Sequence, residues 1–110
     1  MDKEKLKQLS DEIYKQEHKM LARRQFILEA KDKRDAKRTE LIEDMKQRYD
    51  EDKENNQHLS NETKRKALAE KDAELAKILE DIKATEHEVV VLDIDTAKKK
   101  REFRIYTMGQ

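Results

Sequence analysis

A seven-residue apolar repeat constrains this chain more than any other feature. Leu68, Leu75, Ile82, Val89, Thr96 and Phe103 recur at intervals of seven, and Ile78 or Leu79, Leu92 and Tyr106 fill much of the half-heptad row between them. A repeat of seven keeps one stripe of a helix turned towards a partner and imposes a left-handed supercoil. The pattern specifies a coiled coil. It specifies no reaction.

Composition narrows the class in the same direction. The chain has no Pro, no Trp and one Gly, and 47% of its residues are charged. A compact globule needs turns and a bulky interior, and neither is supplied. A long-helix protein or a disordered polyampholyte remains, and the sustained heptads favour the helix. Basic and acidic side chains balance at 26 each, so the whole chain has no bulk attraction for nucleic acid or an anionic membrane. The absence of Cys excludes disulfide and thiolate chemistry and fits a reducing compartment. No apolar run approaches the roughly 18 residues of a membrane span, and Met1-Asp2-Lys3-Glu4 opens no signal peptide. The expectation is a cytoplasmic protein with no membrane partner.

The pattern predicts a single domain over 1–110: helix over about 3–53, loop over 54–60, second helix over about 61–106. Ser10, followed by Asp11 and Glu12, offers an alternative N-cap, but Leu6 and Ile13 already keep the spacing of a helix that starts near Asp2. Leu6, Ile13, Met20, Ile27, Arg34, Leu41 and Arg48 define one row of the first helix. Tyr14, Leu21, Leu28, Ile42 and Tyr49 form another one residue later, broken only at Asp35. Glu54 to Asn61 holds the Asn and Ser residues that suit loops and caps, with Ser60 or Asn61 placed to cap the second helix. Folding the chain at His58 pairs Leu41 with Leu75, Arg34 with Ile82, Ile27 with Val89, Met20 with Thr96 and Ile13 with Phe103. The predicted fold is therefore all-α, an antiparallel two-helix coiled-coil hairpin. The alternative is a short C-terminal β-hairpin, because Glu88–Asp95 and Arg101–Met108 are rich in β-branched and aromatic residues. Thr96-Ala97-Lys98-Lys99-Lys100 lacks tight-turn residues, which favours the helix.

Little in the chain points to catalysis. His18, His58 and His87 share no metal-ligand spacing, and neighbours such as Glu86 and His87 point to different helix faces. No Ser-His-Asp set is organised, and no Gly-rich phosphate loop exists. The chain is read as a non-enzyme with no metal, cofactor or small-molecule substrate. Charge is unevenly placed, however. Residues 21–40 carry seven basic and four acidic side chains, 81–97 one and five, and 98–110 five and one. On long helices such groups are mostly solvated faces and i,i+4 pairs. The rival reading makes Arg23, Arg24, Lys33, Arg34, Lys37 and Arg38, together with Lys98, Lys99, Lys100, Arg101 and Arg104, local nucleic-acid patches beside Phe103 and Tyr106. The row Tyr14, Leu21, Leu28, Ile42 and Tyr49 is read as a face for a second copy, since one seam leaves a two-helix protein with a thin core.

The run from Asn61 to Asp72, followed by Leu75, Leu79 and Ile82 and then Val89, Leu92, Ile94, Arg101 and Phe103, resembles small coiled-coil proteins of phages and mobile elements. Those are uncharacterised helical hairpins often encoded among DNA-replication or recombination genes. The resemblance covers about the second half of the chain and implies an accessory role near DNA metabolism. The sequence thus leads to a self-associating, protein-binding scaffold, with a nucleic-acid accessory protein as the alternative.

Overall fold

Glu, Lys, Gln, Leu and Arg dominate the first fifty residues, all of them strong helix formers, and neither Gly nor Pro interrupts them. In the computed structural model, which describes residues 3–109, this stretch is one uninterrupted helix, α1 (Lys3–Glu51). It passes through Ser10 without a cap, as the Leu6–Ile13 spacing predicts. A 3₁₀ turn (Gln57–Leu59), α2 (Glu62–Ala69) and α3 (Ala73–Met108) follow. Among the described residues there is no strand. Residues 88–108 are helical, so the alternative C-terminal β-hairpin does not form.

Side chains close the end of α1. Asn56 donates from Nδ2 to the carbonyl of Asp52 at 2.7 Å, just past the helix end, and at 3.1 Å to that of Arg48, which also accepts the Asp52 N–H. Asp52 accepts from the backbone N–H and the Nδ2 of Asn55. Asn61 then caps α2 from an extended backbone, its Oδ1 accepting the Lys64 N–H at 2.8 Å.

The second helix corrects the sequence reading. It is not continuous from 61 to 106 but breaks after Ala69. Lys71 and Asp72 donate to the carbonyls of Leu68 and Ala69, three residues back, tightening the chain out of α geometry. Asp72 starts α3 by accepting the Leu75 N–H on Oδ2 at 3.0 Å. Asp72 thus uses the same capping chemistry as Asn61. No Gly or Pro marks the break, and Leu68–Leu75 keeps the heptad interval across it, so the apolar pattern runs through it unchanged.

The chain forms two compact units. The first combines Met1–Ile27 with Ala84–Gln110, and the second is Leu28–Lys83. In the second, Met45, Leu59 and Ala69 form a buried cluster, with Leu41, Ile42, Tyr49 and Leu68 packed half-buried against it. Ala30, Leu75 and Ile82 are also buried, Leu75 completely. Lys37 pairs with Glu74 at 2.6 Å, and Arg38 grips both carboxylate oxygens of Glu70. Leu59, assigned by sequence to the loop, is core.

In the first unit Leu9, Met20, Ile27 and Thr96 are buried, with Ile13, Gln16, Arg23, Val89, Leu92 and Phe103 half-buried. Contacts run from Glu12 to Lys99, from Gln16 to Asp95 and Thr96, and from Arg23 to Glu88, so partner numbers fall as residue numbers rise. Thr96 therefore meets Gln16, one helical turn before the Met20 that folding at His58 selects. A layer of polar side chains, Gln16, Asp95 and Thr96, meets at this register.

Candidate functional site

The first unit holds a connected set of polar side chains inside its seam. Gln16 donates from Nε2 to Asp95 Oδ2 at 2.5 Å. The hydroxyl of Thr96, which is only 2% exposed, lies 2.6 Å from the Leu92 carbonyl and 3.1 Å from Gln16 Oε1, and its single proton can serve one of them at a time. One turn on, the Lys99 ammonium sits 3.4 Å from Glu12 and 3.3 Å from Asp95. The Gln16 amide and the Lys99 charge hold the Asp95 carboxyl below its usual range. Burial pulls the Lys99 ammonium down, but its bonds to Asp95 and Glu12 outweigh this and leave it raised. Such a layer adds little to stability, and sliding the helices by a turn would strip these groups of their partners.

Beyond the seam, α1 carries a second apolar row. Tyr14, Leu21 and Leu28 are 64%, 63% and 60% exposed, at intervals of seven. Tyr14 also stacks at a tilt on His18, with ring centres 4.4 Å apart. Ile42 and Tyr49 are not part of an open face, because they pack against the Met45 cluster of their own unit. Of the five residues expected from sequence to face a second copy, Tyr14, Leu21 and Leu28 are exposed, and Ile42 and Tyr49 are packed within their own unit. The sequence signal that separates them is Leu59: once it is read as core, the nearby part of α1 has something to cover.

Six of the eleven basic residues marked as nucleic-acid contacts are already in ion pairs. Arg23 lies 3.2 Å from Glu88, at an angle that leaves its Nε without a hydrogen bond. Arg34 pairs with Asp35, Lys37 with Glu74, Arg38 with Glu70, Lys99 with Glu12 and Asp95, and Lys100 with Glu17. Among the described residues Arg24, Lys33, Lys98, Arg101 and Arg104 are exposed without an ion pair. Phe103 is half-buried and Tyr106 is 37% exposed, so neither offers a full stacking face.

An open cleft of about 500 Å³ lies at this end of the unit, lined by Ser10, Ile13, Lys100, Phe103, Arg104 and Met108. His18, His58 and His87 are all exposed, and among the described residues no three His, Asp or Glu side chains gather to hold a metal. Nor, among the described residues, is any helix long and apolar enough to cross a membrane. Comparison with protein-family models, with curated proteins and with solved structures finds no match for this chain.

Proposed function

We propose that this chain is a non-enzymatic coiled-coil interaction protein, an antiparallel helical hairpin that self-associates through Tyr14, Leu21 and Leu28. The observation that carries the reading is the exposure of these three side chains on one helix row, while the neighbouring seam rows are covered. Each buried Leu contributes about 1.5–3 kcal/mol, so a small protein with little core gains substantially by covering them. In support of the hairpin, partner numbers fall along the chain within each unit, from Glu12–Lys99 to Arg23–Glu88 in one and from Lys37–Glu74 to Arg38–Glu70 where order allows in the other. The resemblance to phage coiled coils extends the proposal to an accessory role near DNA metabolism. Direct nucleic-acid binding has weaker support, since more than half of its cations are neutralised internally.

Sedimentation equilibrium tests the proposal. Wild type at tens of micromolar, a range set by about −6 to −8 kcal/mol of association, sediments as an oligomer. Leu21→Glu combined with Leu28→Glu sediments as a monomer and melts at a lower, concentration-independent temperature. A wild-type mass of one chain refutes the reading.

A further inference from the structure

The outward side of α3 in the first unit is a second open face, and its chemistry differs from that of the α1 row. Ile94, Ala97, Arg101, Ile105 and Met108 follow each other at three- or four-residue steps and are all exposed, which makes them one stripe of the helix. Val90 and Val91 extend it by a turn, both more than half exposed. Four of these apolar residues are β-branched. Such residues lower helix propensity, and in water they return no packing. They do pack well as knobs between the side chains of a covering helix.

The charges on this face sort by direction. Lys99 and Lys100 turn inward to Glu12, Asp95 and Glu17. Lys98, Arg101 and Arg104 are exposed and have no ion pair among the described residues. Asp93 and Glu102 edge the stripe, one on each side, so the three free cations outnumber the carboxylates beside them. The cleft floored by Ile13 and Phe103 opens beside Arg104 and Met108, a place for one large apolar anchor.

The same face of a second copy does not suit this one. Arg101 sits in its middle with Lys98 beside it and Arg104 at its edge, so two such faces would bring like charges together in either orientation. The exposed side of α1 in the same unit carries Lys3, Lys7, Lys15, Lys19 and Arg24 against Glu4, Asp11 and Glu17, and is again basic. Single-stranded nucleic acid wants aromatic platforms, and the stripe has none. Membrane-surface helices bury Trp, Phe and Leu, whereas this stripe offers Val and Ile.

We infer that the outward face of α3 is a docking surface for an acidic amphipathic helix of another protein. This extends the interaction reading and does not depend on self-association through α1.

The test uses the full chain and two fluorescein-labelled synthetic helical peptides with Leu at the heptad core positions. One carries Glu on the flanks and the other carries Lys. Fluorescence anisotropy should give the Glu peptide a dissociation constant at least about tenfold below that of the Lys peptide, with binding weakened by salt. Combining Lys98→Glu, Arg101→Glu and Arg104→Glu should reverse the preference, and Ile94→Asp should abolish binding, while circular dichroism shows both variants still helical. Failure of the Glu peptide to bind folded wild type overturns the inference, as does equal binding to the charge-reversed variant. Tighter binding of phosphatidylserine vesicles or of a single-stranded oligonucleotide through the same three cations also overturns it. A wild-type dimer that ignores the peptide rejects this inference alone and leaves the α1 reading standing.

Discussion

Leu75→Ala tests the packing argument most directly. Leu75 is 0% exposed, the most completely buried large apolar side chain described, and lies three residues after the Asp72 cap. Truncation removes three carbon atoms, or about 2.4 kcal/mol at about 0.8 kcal/mol per buried methylene, before any cavity is counted. The residual void raises the range to about 2–5 kcal/mol, as for other buried Leu→Ala changes. A chain of this size has on the order of 5–15 kcal/mol in total, and a thin core places it towards the lower end. The loss is therefore a large share, corresponding to roughly 4–8 °C in melting temperature for each kcal/mol. Urea and thermal unfolding followed by circular dichroism should show the midpoint falling with little change in slope. Leu28→Ala is the control: Leu28 is 60% exposed, so in dilute, monomeric protein it should cost no more than about 0.5 kcal/mol. Equal losses at the two positions would refute the reasoning, because the repeat alone does not distinguish them.

Asn61→Ala and Asp72→Ala should each cost about 1 kcal/mol by removing a helix cap, seen as a lower urea midpoint. Asp72→Ala should also extend helicity across 70–72, visible as new slow amide exchange there; unchanged exchange counts against the cap. The Asp95 carboxyl is held below its usual range in the folded chain, so its contribution is present above the ordinary Asp value of about 3.9 and is lost as pH falls through the lowered folded value. Melting of wild type and Asp95→Asn should converge in acid and separate towards neutral pH; parallel curves throughout would remove the linkage. Gln16→Leu with Thr96→Val should leave the melting temperature the same or higher while loosening the register. Cysteines placed by Glu12→Cys with Lys99→Cys, or with Phe103→Cys one turn away, should cross-link selectively in wild type and less selectively in that double variant.

The polar layer shows why seam membership was only half legible. The row Leu6, Ile13, Met20 and Ile27 announces itself because its members are apolar. The second seam row of the first unit is Leu9, Gln16 and Arg23, buried or half-buried at the same interval of seven. Two of its three members are polar, so hydrophobic periodicity passes over it and settles on Tyr14 and Leu21 instead. Gln16 can enter the seam because Thr96 and Asp95 satisfy its amide, and Arg23 because Glu88 stands beside it. A lone sequence carries no sign of these partners.

The sequence by itself determined that the first fifty residues are helical, since strong helix formers without Pro leave the backbone hydrogen bonds few other arrangements, whereas the β-branched stretch from Glu88 to Met108 left a hairpin open until the structure showed it helical. It also placed the end of α1 at about residue 53, two beyond the observed Glu51, because the Asn side chains that follow can bond nearby carbonyls locally. Asn61 likewise starts α2 with chemistry contained within four residues. Tertiary structure decided the rest. Leu59 became core because Met45 and Ala69 come to it, and Ile42 and Tyr49 were covered for the same reason. Thr96 lies within hydrogen-bond reach of the Gln16 amide oxygen, a partner that apolar periodicity does not reveal. Local propensity and periodicity act along one helix. Register and burial depend on the groups that meet across two, and those are set only when the segments pack.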